Sequence, residues 1–305
     1  MTVLEVVHET RYAYASQVSL AHHLAHLKPL DDAAQRLLAF ELRIAPRPDQ
    51  QHESRDAAGN AQLHFSLLSP HDTLAVRAAS RVSLLPRFMA LRPASSPPWD
   101  ELAARLRYVA RAAFDPAIEY ALPSPFVPRL EVLRHYGQHS FTPGRPVAEG
   151  ALELMQRIHA DFAYESESTE IDTPLEEAFA HKRGVCQDFA HLMAGTMRMF
   201  GLPVRYVSGY LLTRAPEDGH TMLGADASHA WVQVYCPGTA GVPADGWLDL
   251  DPTNDLVPGT GHVRVAVGRD FGDVTPLRGV IRGGGRHTLS VSVTTRVVGP
   301  VVANA

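Results

Sequence analysis

Cysteine is scarce in this chain: Cys186 and Cys236 are the two thiols among 305 residues. Two cysteines cannot form a disulfide scaffold and suit a reducing compartment, so the expected location is cytoplasmic. Long apolar runs are missing as well, and residues 1–8 carry an early acid in place of a basic start, an apolar stretch and a small-residue cleavage site. Neither a membrane partner nor a leader is expected. No basic excess exists either: a formal charge of -5 without a concentrated basic face argues against nucleic acid as a partner. The sixteen histidines come without paired cysteines or a His-Glu-x-x-His motif, so no metal and no cofactor are expected. Arg282-Gly-Gly-Gly285 lacks the Lys-Ser/Thr of a phosphate loop and reads as a flexible turn. With 45% hydrophobic and 20% charged residues, what remains is an ordinary globular protein, long enough for two domains.

Taken in order, residues 2–14, 40–44 and 63–67 show the β-branched and aromatic enrichment or the alternation of strands, with a turn signal at 56–60. His22, His23 and His26 fall among leucines here and read as satisfied or surface histidines. These features define an N-terminal β domain over residues 1–92. Three prolines and two serines at 92–98 break the composition and begin a linker and helical connection over 93–147. Within it a helix is expected at 99–114, stopped by Pro116. The remainder, 148–305, reads as a catalytic core. It carries helices at 148–162 and 174–180, a buried helix from Cys186, and strands at 204–212, 228–236 and 247–251. A last alternating strand at 288–294 could complete a sheet in either domain. One central helix packed on several strands is an α+β layout.

The chemistry is organised around Cys186. Behind it Phe189, Ala190, Met193, Met197 and Phe200 recur at helical spacing, which buries the helix and places the thiol in its first turn. Unsatisfied N–H groups and the positive end of the macrodipole there favour a thiolate and offer donors to an oxyanion. Alternation sends His229, Trp231, Gln233 and Tyr235 to one face of their strand, and Ala230, Val232, Val234 and Cys236 to the core. Trp247, Asp249 and Asp251 likewise share the mixed face of the next strand. If the hairpin closes with Cys236 opposite Gly246, Asp251 faces Trp231; a shift of two places sets it opposite His229. Either register makes Asp251 a partner for the imidazole, with Asp249 as runner-up and Asp226 read as a turn former. His191 lies too far round the helix to serve as the base. Trp231 and Trp247 are candidate walls of an acyl channel, that is, substrate-binding residues. A thiol, an imidazole and a carboxylate so arranged suit nucleophilic attack on an acyl carbon.

At these residues the sequence resembles the bacterial transglutaminase-like family, within the papain-like cysteine enzyme superfamily. The matching pieces are Arg183-Gly-Val-Cys-Gln-Asp-Phe-Ala190, Gly209-Tyr-Leu-Leu212, Asp226-Ala-Ser-His-Ala-Trp231 and Trp247-Leu-Asp-Leu-Asp-Pro-Thr-Asn254. Val7-His-Glu-Thr-Arg-Tyr-Ala-Tyr14 looks like the start of the N-terminal domain that precedes the core in bacterial members. The resemblance implies a papain-like transglutaminase core after a mostly β domain, with Cys186, His229 and Asp251 as catalytic residues in preference to Asp249. It also implies thioester chemistry on a carboxamide or peptide bond of a peptide or protein substrate, released to an amine or to water. Gln187 stands where animal members have tryptophan, and no acidic cluster suggests calcium, so metal-dependent activation is not expected. Association with ATP-grasp-type peptide-modifying proteins is a further implication. A catalytically silent peptide-binding or scaffold module on the same fold is the alternative, and the oligomeric state is not legible.

Overall fold

The computed structural model describes residues 1–107, 109–111, 113–166, 168–212, 223 and 228–299. Five strands open the chain: β1 (Thr2–Ala25), β2 (Gln35–Ala45), β3 (Gln50–Arg55), β4 (Ala61–Leu67) and β5 (His71–Leu84). Helical elements follow as α1 (Trp99–Arg105), α2 (Glu131–Gly137) and α3 (Val147–Asp161). Then come β6 (Ala163–Tyr164), α4 (Leu175–His181), β7 (Arg183–Gly184), α5 (Cys186–Arg198), β8 (Val204–Leu211), β9 (His229–Tyr235), β10 (Trp247–Leu250) and β11 (His262–Gly268). The chain closes with α6 (Phe271–Val274), β12 (Leu277–Gly283) and β13 (His287–Val297).

β1 runs well past the alternating stretch that marks its start, because it finds partners along most of its length. Its first half pairs with β5 and β13, and its second half with β4 and β12. Both C-terminal strands therefore belong to the sheet that begins the chain, with Leu4 opposite Val297 and Tyr14 opposite His287. The interval 148–305 thus supplies strands to both sheets. Gly283, Gly284 and Gly285 all have positive φ and form the turn between β12 and β13, where glycine avoids the Cβ penalty.

The second sheet is antiparallel, in the order β10-β9-β8-β11. On one face lies α5, whose Phe189, Ala190, Met193 and Met197 join Ala230, Val232, Val234 and Leu250 in one core. Each such side chain removed from water contributes about 1.5–3 kcal/mol when large, so this contact fixes where α5 begins. The opposite face, read from alternation as mixed, is covered by the N-terminal domain. Leu30 packs beside Val207, Trp231 and Val267, while Gln35 and Asn60 bond the backbone of Arg264 and Val267. As a result His229, Gln233, Asp249 and Asp251 are all buried.

α1 is shorter than the expected 99–114. Leu102 and Leu106 reach the core, but Val109 and Phe114 are exposed, and Arg111 takes a left-handed φ of 70°. Without packing on later turns the helix has nothing to sustain it.

Candidate active site

Cys186 is the first residue of α5 and is half-buried. Asp188 builds the turn before it: its Oδ2 accepts from the Val185 N–H at 2.8 Å and from Thr169 Oγ1 at 2.7 Å. Burial raises the Asp188 carboxyl above its ordinary value, opposed by these two bonds. Gly184 is required at this turn, since a Cβ there would lie 2.6 Å from Asp188 Oδ2. The first-turn N–H groups of Cys186 and Gln187 precede any intrahelical acceptor, which makes them available to a developing negative charge.

Cys186 Sγ lies 4.0 Å from the carbonyl oxygen of Ser228, the residue before His229. His229 opens β9, and its Nε2 is 2.9 Å from Asp251 Oδ2, with both side chains fully buried. The hairpin has the first of the two registers considered: Trp247 opposes Tyr235 and Leu250 opposes Val232. Asp251 lies one step beyond β10, where it forms a bridge to Leu256 and reaches back to the imidazole. Sulfur, ring and carboxylate, drawn from three separate segments, thus meet in one place.

Asp251 is held by five donors. Oδ1 accepts from the backbone N–H groups of Thr253 and Asn254, and Oδ2 from Asn254 Nδ2, His229 Nε2 and His262 Nε2. Burial alone would raise this carboxyl, but the charge and bonds of His229 and the bond from His262 hold it well below the ordinary carboxylate range. Burial likewise would lower the His229 imidazole. The Asp251 charge, its hydrogen bond and the neighbouring Cys186 outweigh that and raise it from 6.5 to about 10. An ionised Asp251 makes Nε2 the protonated nitrogen of neutral His229 and leaves Nδ1 as its basic atom. Nδ1 is buried and has no hydrogen-bond partner among the described residues.

His262 is the main residue missed from sequence, and with Asp251 and His229 it forms a group whose ligand atoms lie within 4.8 Å of one another. A cation could use that donor set only by displacing the existing bonds. The Nε2 to Oδ2 separations of 2.9 and 3.1 Å are those of hydrogen bonds, and the carboxylate already accepts from Asn254 and two backbone amides. The alternation of His262-Val-Arg-Val-Ala-Val267 was the signal that could have found the strand carrying it.

Other residues singled out from sequence take different places. Asp249 bonds Arg87 Nη1 at 2.5 Å from within the domain junction, away from His229's partner position. Cys236 is fully buried in the core and burial pushes its thiol up. His191 is buried against Phe126, where its Nε2 accepts from the Phe271 N–H, and burial lowers its pKa to about 3. Asp226 lies outside the described residues. The expected channel role of Trp231 and Trp247 is corrected: neither lines the cavity at Cys186. Trp231 is enclosed by Val207, Val267 and Leu30, and Trp247 packs on Ala117 and Tyr120 under the Arg205 guanidinium. Packing from the far side of the sheet, which alternation does not report, takes both rings.

The cavity itself measures about 410 Å³. Cys186, Ser228 and His229 line it together with residues of β1 and β13, so both domains form its wall.

Two sequence-family models cover much of the chain. The bacterial transglutaminase-like N-terminal region matches residues 4–83, and the transglutaminase-like superfamily core matches residues 135–252. The chain belongs to the bacterial transglutaminase-like family. An uncharacterised protein of Mycobacterium tuberculosis is 38% identical over 281 residues, covering 90% of this chain and 86% of that protein. A protein-glutamine gamma-glutamyltransferase of Pseudomonas aeruginosa is 32% identical over 109 residues, covering 34% of this chain and 15% of that enzyme. Among solved structures, a candidate cysteine protease from Cytophaga hutchinsonii shares the fold, with a TM-score of 0.71 and 20% identity over 98% of this chain and 91% of that one. The fold is α+β and papain-like. No helix among the described residues is long and apolar enough to cross a membrane.

Proposed function

We propose that the protein is a cysteine-dependent acyl-transfer enzyme acting on a carboxamide or peptide bond of a peptide or protein. The observation that carries this reading is the 2.9 Å bond between His229 and Asp251 beside a half-buried thiol at a helix start. In the reading, the proton of the Cys186 thiol already rests on His229 Nδ1, so that sulfur and ring form an ion pair, and the sulfur attacks the carbonyl carbon. The oxygen takes the negative charge and is met by first-turn N–H groups of α5. As the carbon–nitrogen bond breaks, His229 returns the proton to the departing amine or ammonia, leaving a thioester on Cys186. An amine or water then attacks the thioester with His229 as base, and the thiol is restored. Asp251 keeps the imidazole in one tautomer and stabilises its charged form.

A scaffold module without turnover is the competing reading, and intact partners for every step weigh against it. The test incubates the full chain with a glutamine-rich protein and a fluorescent primary amine, following label uptake, ammonia release and fragmentation. Uptake without fragments is the transferase outcome, ammonia alone is side-chain hydrolysis, and fragments alone mark a peptidase. None of these, with an unmodified Cys186 by mass spectrometry, would overturn the enzyme reading.

A further inference from the structure

The cavity at Cys186 has two unlike sources. The core contributes Ile171, Tyr206 and Phe271, and the N-terminal sheet contributes Tyr12, Leu289 and Val291. β1 and β13 run side by side here, with Tyr12 opposite Leu289 and Thr10 opposite Val291, so these side chains share one face toward the thiol. Leu289 and Val291 remain 48% and 41% exposed, an apolar surface left uncovered beside a candidate nucleophile.

Among the described residues lining the cavity there is no Asp, Glu, Lys or Arg. Its one histidine apart from His229 is His8, whose Nδ1 meets Tyr210 Oη and whose Nε2 meets Thr10 Oγ1, each at 3.0 Å. Burial lowers the His8 pKa to about 4, which keeps it neutral near pH 7. Away from the Cys186 and His229 pair, whose charges are taken up by each other, a charged group entering this space would lose water and find no counter-charge, whereas an apolar group would gain cover. The volume of about 410 Å³ falls within the roughly 300–1,000 Å³ of ligand pockets.

We infer that the N-terminal sheet is a specificity wall: through Leu289, Val291 and Tyr12 it receives a bulky uncharged side chain of the acyl-donor peptide, next to the group attacked by Cys186. The inference rests on the acyl-transfer reading for the identity of the donor, but its test does not depend on turnover. The full chain is alkylated with plain iodoacetamide and with N-phenethyl, N-(2-carboxyethyl) and N-(2-aminoethyl) iodoacetamides, and the modified cysteine is mapped by mass spectrometry. The phenethyl reagent should modify Cys186 about tenfold faster than the plain one, with neither charged reagent gaining. Leu289→Asp and Val291→Asp, checked for an intact sheet by circular dichroism, should each lose most of that ratio and favour the aminoethyl reagent.

A second measurement uses Cys186→Ala, which removes the sulfur. Binding of a phenylalanine-flanked glutamine peptide amide to it should weaken about tenfold when Val291→Asp is added. Equal alkylation ratios for all reagents, or unchanged peptide binding on that addition, would overturn the wall while leaving acyl transfer standing. A preference for the apolar reagent without turnover of any carboxamide would keep the wall and remove the enzyme.

Discussion

His262 Nε2 lies 3.1 Å from Asp251 Oδ2, the same oxygen that receives His229. One carboxylate therefore orients two imidazoles, and only the His229 ring lines the cavity. Under the proposed mechanism His262 is a positioning residue that limits how far Asp251 can turn. A hydrogen bond to a charged group contributes about 1.5–3 kcal/mol, so His262→Leu should lower kcat about tenfold or more with KM nearly unchanged. His262→Gln, which keeps a donor, should recover most of that loss. Equal rates for the leucine variant and the wild-type protein would remove His262 from the mechanism.

The raised pKa of His229 has a kinetic consequence. A ring that stays protonated through neutral pH stabilises a neighbouring thiolate, so at pH 6 wild-type Cys186 should be alkylated at least about tenfold faster than Cys186 in His229→Asn. Rates followed by mass spectrometry decide the matter, and matching rates would mean that the ring does not activate the sulfur.

Asp249 and Asp251 sit two places apart, yet their removal should produce different defects. Asp249→Asn strands a buried Arg87 guanidinium and should cost about 3–5 kcal/mol of stability, read as a lower urea midpoint. Asp251→Asn should instead reduce turnover by orders of magnitude in protein that still folds, because the tautomer of His229 is no longer fixed. A fully active Asp251→Asn variant would show that the carboxylate assignment is wrong.

Gly184→Ala tests the turn that presents the thiol. The added carbon would meet Oδ2, Cβ and Cγ of Asp188 at 2.6, 2.7 and 2.9 Å, and because Cβ is fixed to the helix backbone the start of α5 must shift. Overpacking of this kind costs about 1–3 kcal/mol, and the expected result is a lower Tm together with slower alkylation of Cys186. A variant indistinguishable from wild type in both would mean that the turn has slack.

Acid should unfold the protein through its buried histidines. His8, His23 and His191 have pKa values lowered by burial to about 4, 4 and 3, against 6.5 when unfolded. Below pH 6.5 the unfolded chain binds protons that the folded one refuses, so stability declines as pH falls from 6.5 toward 4. Asp251 adds a separate loss below the ordinary carboxylate range, because its folded pKa is depressed. Burial lowers His26 as well, so urea unfolding at fixed pH should show a slope of about three protons or more in the histidine window, reduced by about one in His8→Gln. A flat profile between pH 6.5 and 4.5 would contradict the burial of these rings.

Helix α5 was legible because its apolar face repeats within a few residues, and that alone places Cys186 in the first turn. Alternation narrows the register of β9 and β10 to two choices without deciding between them, and the structure takes the one that sets Trp247 opposite Tyr235. Local alternation marks only the start of β1 and leaves β12 unmarked, since their full extent depends on partners far along the chain. Alternation also sorts His229 and Trp231 onto one face without reporting what covers it. Leu30, Val207 and Val267 close over Trp231, which is why a ring read as a channel wall is a packing residue. The role of His262 is hidden by the same limit, because its bond to Asp251 is made across the sheet from the edge strand β11, a relation no local pattern reports.

The pairing of Leu4 with Val297 ties the assembly of the cleft to the order of synthesis. A growing polypeptide carries Cys186, His229 and Asp251 well before residues 287–297 exist. During that interval β1 has no neighbour on the side that β13 will occupy, and the aliphatic half of the enclosure is missing. The nascent chain therefore holds sulfur, ring and carboxylate before that wall of the cavity exists, and under the proposed reading its grip on a donor arrives only with β13.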